Sequence, residues 1–234
     1  MSLRIFILGL FASFGVAWLA ILIAPSVAMS RLAPLEFSEA VDGKTGVFYP
    51  KRTGRIQDGA KVYAANGCYQ CHTQIIRPTY AGNDMYRADW AGLKADPDRG
   101  DTRRETNAYD FSGERFAQIG VMRLGPDLSN IGRRVESIYA VGTSPELWLY
   151  KHLYDPRRLP ERFMSGCPSY QFLFVEKPVK GNRSTDALPF GDDPSKQVSP
   201  SPEAKALVSY LMSLKKDQPV PAALNFGPPK KEAK

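Results

Sequence analysis

Cys68-Tyr69-Gln70-Cys71-His72 spells C-x-x-C-H. Two thiols at this spacing can add to the two vinyl groups of one haem, and the adjacent imidazole then lies against the iron; the pattern is the attachment signature of c-type haem. Other uses of C-x-x-C need more. A structural zinc site takes four ligands. The chain has three Cys and two His, and His152 and Cys167 are far away in sequence. A thioredoxin-like pair sits in a βαβ setting, and none is legible. The motif therefore predicts one haem c, covalently attached through Cys68 and Cys71, with His72 on the iron.

Gly125-Pro126-Asp127-Leu128 follows about fifty residues later. Small c-type cytochromes carry a similar G-P-x-L, in which the Pro carbonyl accepts a hydrogen bond from the proximal His Nδ1. That bond sets the ring and its tautomer, and it is expected here between His72 and Pro126.

The composition is globular: 43% hydrophobic, with net charge +7. Part of the positive excess lies in Lys230, Lys231 and Lys234. No basic stripe interleaved with aromatics is present, which argues against nucleic acid. Two Cys assigned to haem leave Cys167 alone, so no structural disulfide is expected.

No charged residue occurs from Ile5 to Ser30. The apolar run Ile5–Ala24, ending at Pro25, would form a helix of about 30 Å, the thickness of the hydrocarbon core. Ser26-Val27-Ala28 resembles a signal-peptidase site, but the run exceeds the usual h-region of about 7–15 residues. A retained single-pass anchor is the expectation. Arg4 and the amino group precede the span, whereas Arg31 is soon followed by Glu36, Glu39 and Asp42. That bias favours a cytoplasmic amino terminus. Haem is attached to such motifs outside the bacterial cytoplasmic membrane, which places 31–234 in the periplasm.

The chain divides into an anchor (1–30), a Pro- and Gly-containing connector (31–55), a monohaem domain (56–215) and an extended tail (216–234). Ile56–Asn66 reads as a short helix with Ile56, Ala60, Tyr63 and Ala64 on one face, ended by Gly67. Residues 79–118 lack an apolar period and read as a long excursion over the haem edge or onto a partner, with Tyr86, Trp90 and Tyr109 arguing for packing. Ser144-Pro145-Glu146 and Ser201-Pro202-Glu203 each cap a helix. Residues 176–201 read as a loop. The expected fold is mainly α, one transmembrane helix and then a domain that resembles class I cytochrome c with long loop insertions. In that fold the first and last helices cross, which would bring Gly59 and Tyr63 to Tyr210.

Longer strings narrow the resemblance. His72-Thr73-Gln74-Ile75-Ile76-Arg77-Pro78, Arg123-Leu124-Gly125-Pro126-Asp127-Leu128 with Gly132-Arg133-Arg134, and His152-Leu153-Tyr154-Asp155-Pro156-Arg157 occur in order. Together they resemble the membrane-anchored monohaem subunit (subunit II) of cbb3-type cytochrome c oxidases, over most of 1–215. The resemblance implies an electron-transfer subunit with no oxygen chemistry and no small-molecule substrate of its own. Its partners would be a haem–copper catalytic subunit, which reduces dioxygen, and a dihaem cytochrome c subunit or soluble cytochrome c as donor. The I-R-P string argues against the alternative of a nitric oxide reductase subunit. The long 79–118 segment argues against a free tethered shuttle, and a gas sensor would need an open iron.

The family pattern P-x-x-x-M-P-x-Y supplies the second axial ligand. Here Pro160-Glu161-Arg162-Phe163-Met164 keeps the spacing, but Pro168-Ser169-Tyr170 follows three residues late. Either Ser165-Gly166-Cys167 is inserted after the ligand, or Cys167 takes its place. Met raises the potential and cysteinate lowers it; donation to a high-potential oxidase favours Met164. His152 is expected to be structural or near a propionate, and Met122 to lie in the core or at the haem edge. Arg77 and Arg157 are expected at the haem propionates, with solvated or inter-subunit ion pairs as the alternative for both.

Overall fold

A computed structural model describes residues 2–30, 52, 54–87, 90–139, 142–190 and 193–218. Most of the expected connector, and the tail from 219 onward, lie outside the described residues. The chain forms two compact units, 1–41 and 42–234.

In the first unit, α1 (Leu3–Trp18) passes through a π-helical turn, Leu19–Ile23, into α2 (Ala24–Ser30). Leu3–Ala28 is long and apolar enough to cross a membrane, with mean hydropathy 2.5 and no residue buried by its own chain. The helix was expected to stop at Pro25, yet it continues. Proline supplies no N–H to the carbonyl four residues back. A wide π turn immediately before it relaxes the local ladder, the usual accommodation for such a residue.

The second unit is built on a helix crossing. α3 (Gly54–Ala65) packs against the last helix, α7 (Pro202–Ser213). A Cβ at Gly59 would strike the Ala206 carbonyl oxygen, so glycine is what lets the backbones meet. One turn on, the Tyr63 and Tyr210 rings pack edge to face, 5.4 Å apart. α7 buries Ala204, Leu207, Val208 and Leu211 at helical spacing. Its cap is Ser201, whose Oγ accepts from Ala204 N at 3.2 Å. Short helix α5 (Ile131–Arg134) lies on α7, with Gly132 N donating to Leu214 O. α6 (Pro145–Tyr154), capped by Ser144 Oγ on Leu147 N, adds Trp148, Leu149, Tyr150 and Leu153 to the core.

Three features depart from the sequence reading. The 176–201 loop contains an antiparallel ribbon, β1 (Phe174–Pro178) with β2 (Lys196–Pro200), in the register Glu176 to Val198. Aromatic packing of Tyr154 on Phe174 (5.3 Å) joins it to α6. The domain also runs past 215: Lys216 and Asp217 are buried rather than in an extended tail. Asp217 is buried because Arg99, Thr102 and Arg133 donate to its carboxylate. Lastly, 79–118 is held by charge more than by apolar contact. Arg104 pairs with Asp110, Arg99 with Asp96 and Asp217, and Arg77 with Asp84. A small cluster of Ile76, Trp90 and Ala91 lies under it, while Tyr86 is exposed.

Candidate haem site

Gly67, at φ 67°, ends α3 in the left-handed conformation that glycine favours. The chain then makes a single helical turn, α4 (Cys68–Cys71). One turn puts residues i and i+3 on the same side, so the two thiols share a face. His72 leaves the turn in extended conformation (φ −123°, ψ 135°).

The 119–128 segment fixes that ring. Val121 N donates to Tyr69 O, Gly125 N to Cys71 O, Gln74 N to Ile119 O and Leu128 N to Thr73 O, all at 2.7–2.9 Å. His72 Nδ1 lies 2.8 Å from the Pro126 carbonyl. A carbonyl only accepts, so Nδ1 carries the proton and Nε2 keeps its lone pair for a metal. Gly125 lies flat against the imidazole, where any Cβ would overlap the ring. Burial lowers the His72 pKa, outweighing the Pro126 hydrogen bond, and the nearby Arg134 charge lowers it further. The ring is therefore neutral at pH 7, as ligation requires.

Arg123, to which the sequence reading gave no role, organises this region. It donates to Thr73 Oγ1 (2.8 Å), the Ile75 carbonyl (2.6 Å) and Asp84 (2.7 Å). Asp127 also accepts from Thr73 Oγ1 and Ile75 N. Burial alone would raise the Asp84 carboxyl, but bonds from Arg77 and Arg123 hold it well below the usual carboxylate range. Only the R-x-G-P-D-L string, read as a unit, pointed to Arg123.

Burial pushes the Cys68 thiol up to about 11, and the nearness of Cys167 pushes in the same direction. Cys167 is likewise raised to about 11, by burial and then by Cys71. Cys167 thus lies near the motif thiols, whereas Met164 is 83% exposed. Met122 is also largely exposed. His152 stacks on Trp148, centroids 5.2 Å apart. Its Nδ1 is enclosed without a hydrogen bond. Burial, Arg162 and His72 lower its pKa to about 4, so it is a neutral ring at pH 7.

The two expected propionate partners lie apart. Arg77 holds Asp84 through Nε and Nη2, at 3.1 and 2.9 Å, with its side chain 42% exposed. Arg157 is occupied by the Ser165–Ser169 segment. Among the described residues no three His, Cys, Asp or Glu side chains converge as a metal site of their own. What is present fits a haem: two thiols on one turn, an imidazole with a free Nε2, and a glycine-lined face against it.

A motif turn fixed to a G-P-x-L segment, under a glycine-mediated helix crossing, defines a single-haem cytochrome domain. A family model described as cytochrome c oxidase, mono-heme subunit/FixO matches residues 16–188, and the chain belongs to that family. No curated protein matches the chain. It is accordingly a haem-bearing electron-transfer subunit of a cytochrome c oxidase, partnered by a catalytic subunit. Its apolar amino-terminal helix fits a single-pass anchor.

Proposed function

We propose that this chain belongs to a cbb3-type oxidase and relays electrons from a dihaem cytochrome c subunit, or a soluble cytochrome c, to the haem–copper catalytic subunit. The observation that carries this reading is the His72–Pro126 bond beside two thiols on one helical turn. Cys68 and Cys71 bind the haem covalently, and the haem supplies a one-electron couple at the iron. His72 ligates through Nε2, held by Pro126 and backed by Gly125. Met164 is the second ligand: it keeps the family spacing from Pro160, and its exposed side chain has no competing core role. A thioether raises the potential, as donation to an oxidase needs. Arg77, half exposed and bound to Asp84 on one side, serves a propionate. Residues 31–234 lie in the periplasm and the amino terminus in the cytoplasm.

Purification from membranes in mild detergent tests the reading. A haem–copper subunit and a dihaem cytochrome should co-purify, with dioxygen consumption. Isolation alone, or turnover of nitric oxide instead, would overturn it. Haem that stays with the denatured chain in acidified organic solvent confirms the thioethers, and haem that extracts fully refutes them. Met164→Ala should lower the potential or open the iron to carbon monoxide, while Cys167→Ser should change the spectrum little. The reverse pattern would move the ligand to Cys167.

A further inference from the structure

The segment that carries the candidate sulfur ligands is gripped by one guanidinium. Arg157 Nη1 donates to the carbonyls of Cys167 (3.0 Å) and Ser165 (3.4 Å), and Nη2 donates to Ser169 Oγ (2.8 Å). Asp155 stands behind it, 3.5 Å from Nη2, and accepts from Ser169 Oγ at 3.3 Å. Asp155 also accepts from Arg157 N, closing the turn Pro156–Arg158 that follows α6. Within the loop, Cys167 N donates to Ser165 Oγ. On the far side Tyr170 N donates to Leu153 O, so 165–169 is held by Arg157, just past α6, and anchored through the next residue to the buried end of that helix. One planar fork reaching three acceptors is a task for arginine and not for the point charge of lysine.

We propose that Arg157 is the positioning residue for the loop that brings the second axial sulfur to the iron, rather than a partner of the haem propionates. Met164 directly precedes the gripped segment and Cys167 lies inside it. The grip therefore sets where each sulfur stands relative to His72. The inference rests on the reading that a sulfur from 164–167 ligates the iron.

The test uses the whole subunit in its detergent-purified complex. Arg157→Ala should keep its covalent haem on a denaturing gel, yet lose low-spin character and bind carbon monoxide in the ferrous form. Arg157→Lys should recover the wild-type spectrum only in part. Ser169→Ala, which removes a single acceptor, should show a smaller change in the same direction, and it carries the test if Arg157→Ala does not assemble. A propionate partner behaves differently: its loss moves the potential with the iron still low-spin and closed to carbon monoxide. That result would overturn the proposal, as would full recovery by lysine. Met164→Ala and Cys167→Ser made in parallel separate the two layers. If either opens the iron and the Arg157 and Ser169 variants do not, only the role of Arg157 fails. If neither does, the sulfur-ligand reading fails, and the proposal with it.

Discussion

Gly59 and the carbonyl of Ala206 stand too close for a methyl group to fit between them. A built Cβ would also lie 2.7 Å from Cβ of Tyr210. Relief would require α3 and α7 to separate, loosening the Tyr63–Tyr210 contact. Gly59→Ala is expected to destabilise the domain by about 1–3 kcal/mol, the usual cost of overpacking. Gly54→Ala, at the open start of the same helix with no atom near its Cβ position, should be neutral or slightly stabilising. Denaturant unfolding of the two variants checks the contrast.

Gly125→Ala acts on the site itself. Its methyl would lie 2.7 Å from His72 Nδ1, the atom that holds Pro126. The ring must tilt, weakening that bond and the ligation of Nε2. Loss of low-spin absorbance with retained covalent haem is the expected outcome, read by optical spectroscopy; an unchanged spectrum would contradict the described packing.

Asp84 is fully buried between Arg77 and Arg123. Asp84→Asn should cost about 3 kcal/mol at pH 7, the loss expected on removing one partner of a buried ion pair. The folded-state pKa is depressed, so the carboxylate's contribution is present above about pH 4 and is lost as pH falls toward that depressed value. Wild type and variant should therefore converge in strong acid, which unfolding curves at stepped pH will show.

Lys216 has a depressed pKa for the opposite reason: burial penalises its charged form, where pairing favours that of Asp84. Its Nζ makes no hydrogen bond, lies 3.7 Å from Glu114 and sits 3.5 Å above the Phe111 ring. Burial lowers its pKa to about 8 against the pull of Glu114 and Asp110. Below pH 8 the ammonium is charged in both states and its burial costs up to about 3 kcal/mol. That cost fades as pH rises from about 8 toward the unfolded value near 10.5. Lys216→Met should raise the melting temperature at pH 7, with the gain shrinking by pH 10. An equal gain at both pH values would show that packing, not charge, was responsible.

Much of the site was legible because its signals are local. Ser144 and Ser201 announce their helices by a cap and a following proline, and C-x-x-C-H fixes a single turn. The His72–Pro126 bond spans 54 positions and was reached through the G-P-x-L resemblance, not through any periodicity. What escaped has a physical reason in each case. Phe174–Pro178 and Lys196–Pro200 hold prolines and lysines with no apolar alternation, so the ribbon exists only through its cross-strand partner. Asp84 and Asp217 are buried by pairing and Arg123 is half-buried by it, and a charge in sequence looks solvated until its counter-charge is placed. The helix through Pro25 persists because a π turn absorbs the missing donor.

The backbone bonds that bind 119–128 to the motif have a consequence for speed. Each electron that arrives changes the charge at the iron by one unit. Any dipole free to swing in reply must do so before the transfer completes, and that rearrangement adds to the barrier. With the haem on His72 as proposed, the peptide groups of Tyr69, Cys71 and Thr73 are already committed to Val121, Gly125 and Leu128. Dipoles fixed in advance need no reorganisation at the moment of reaction. The proximal half of the site is a stiff mounting that adds little to that barrier.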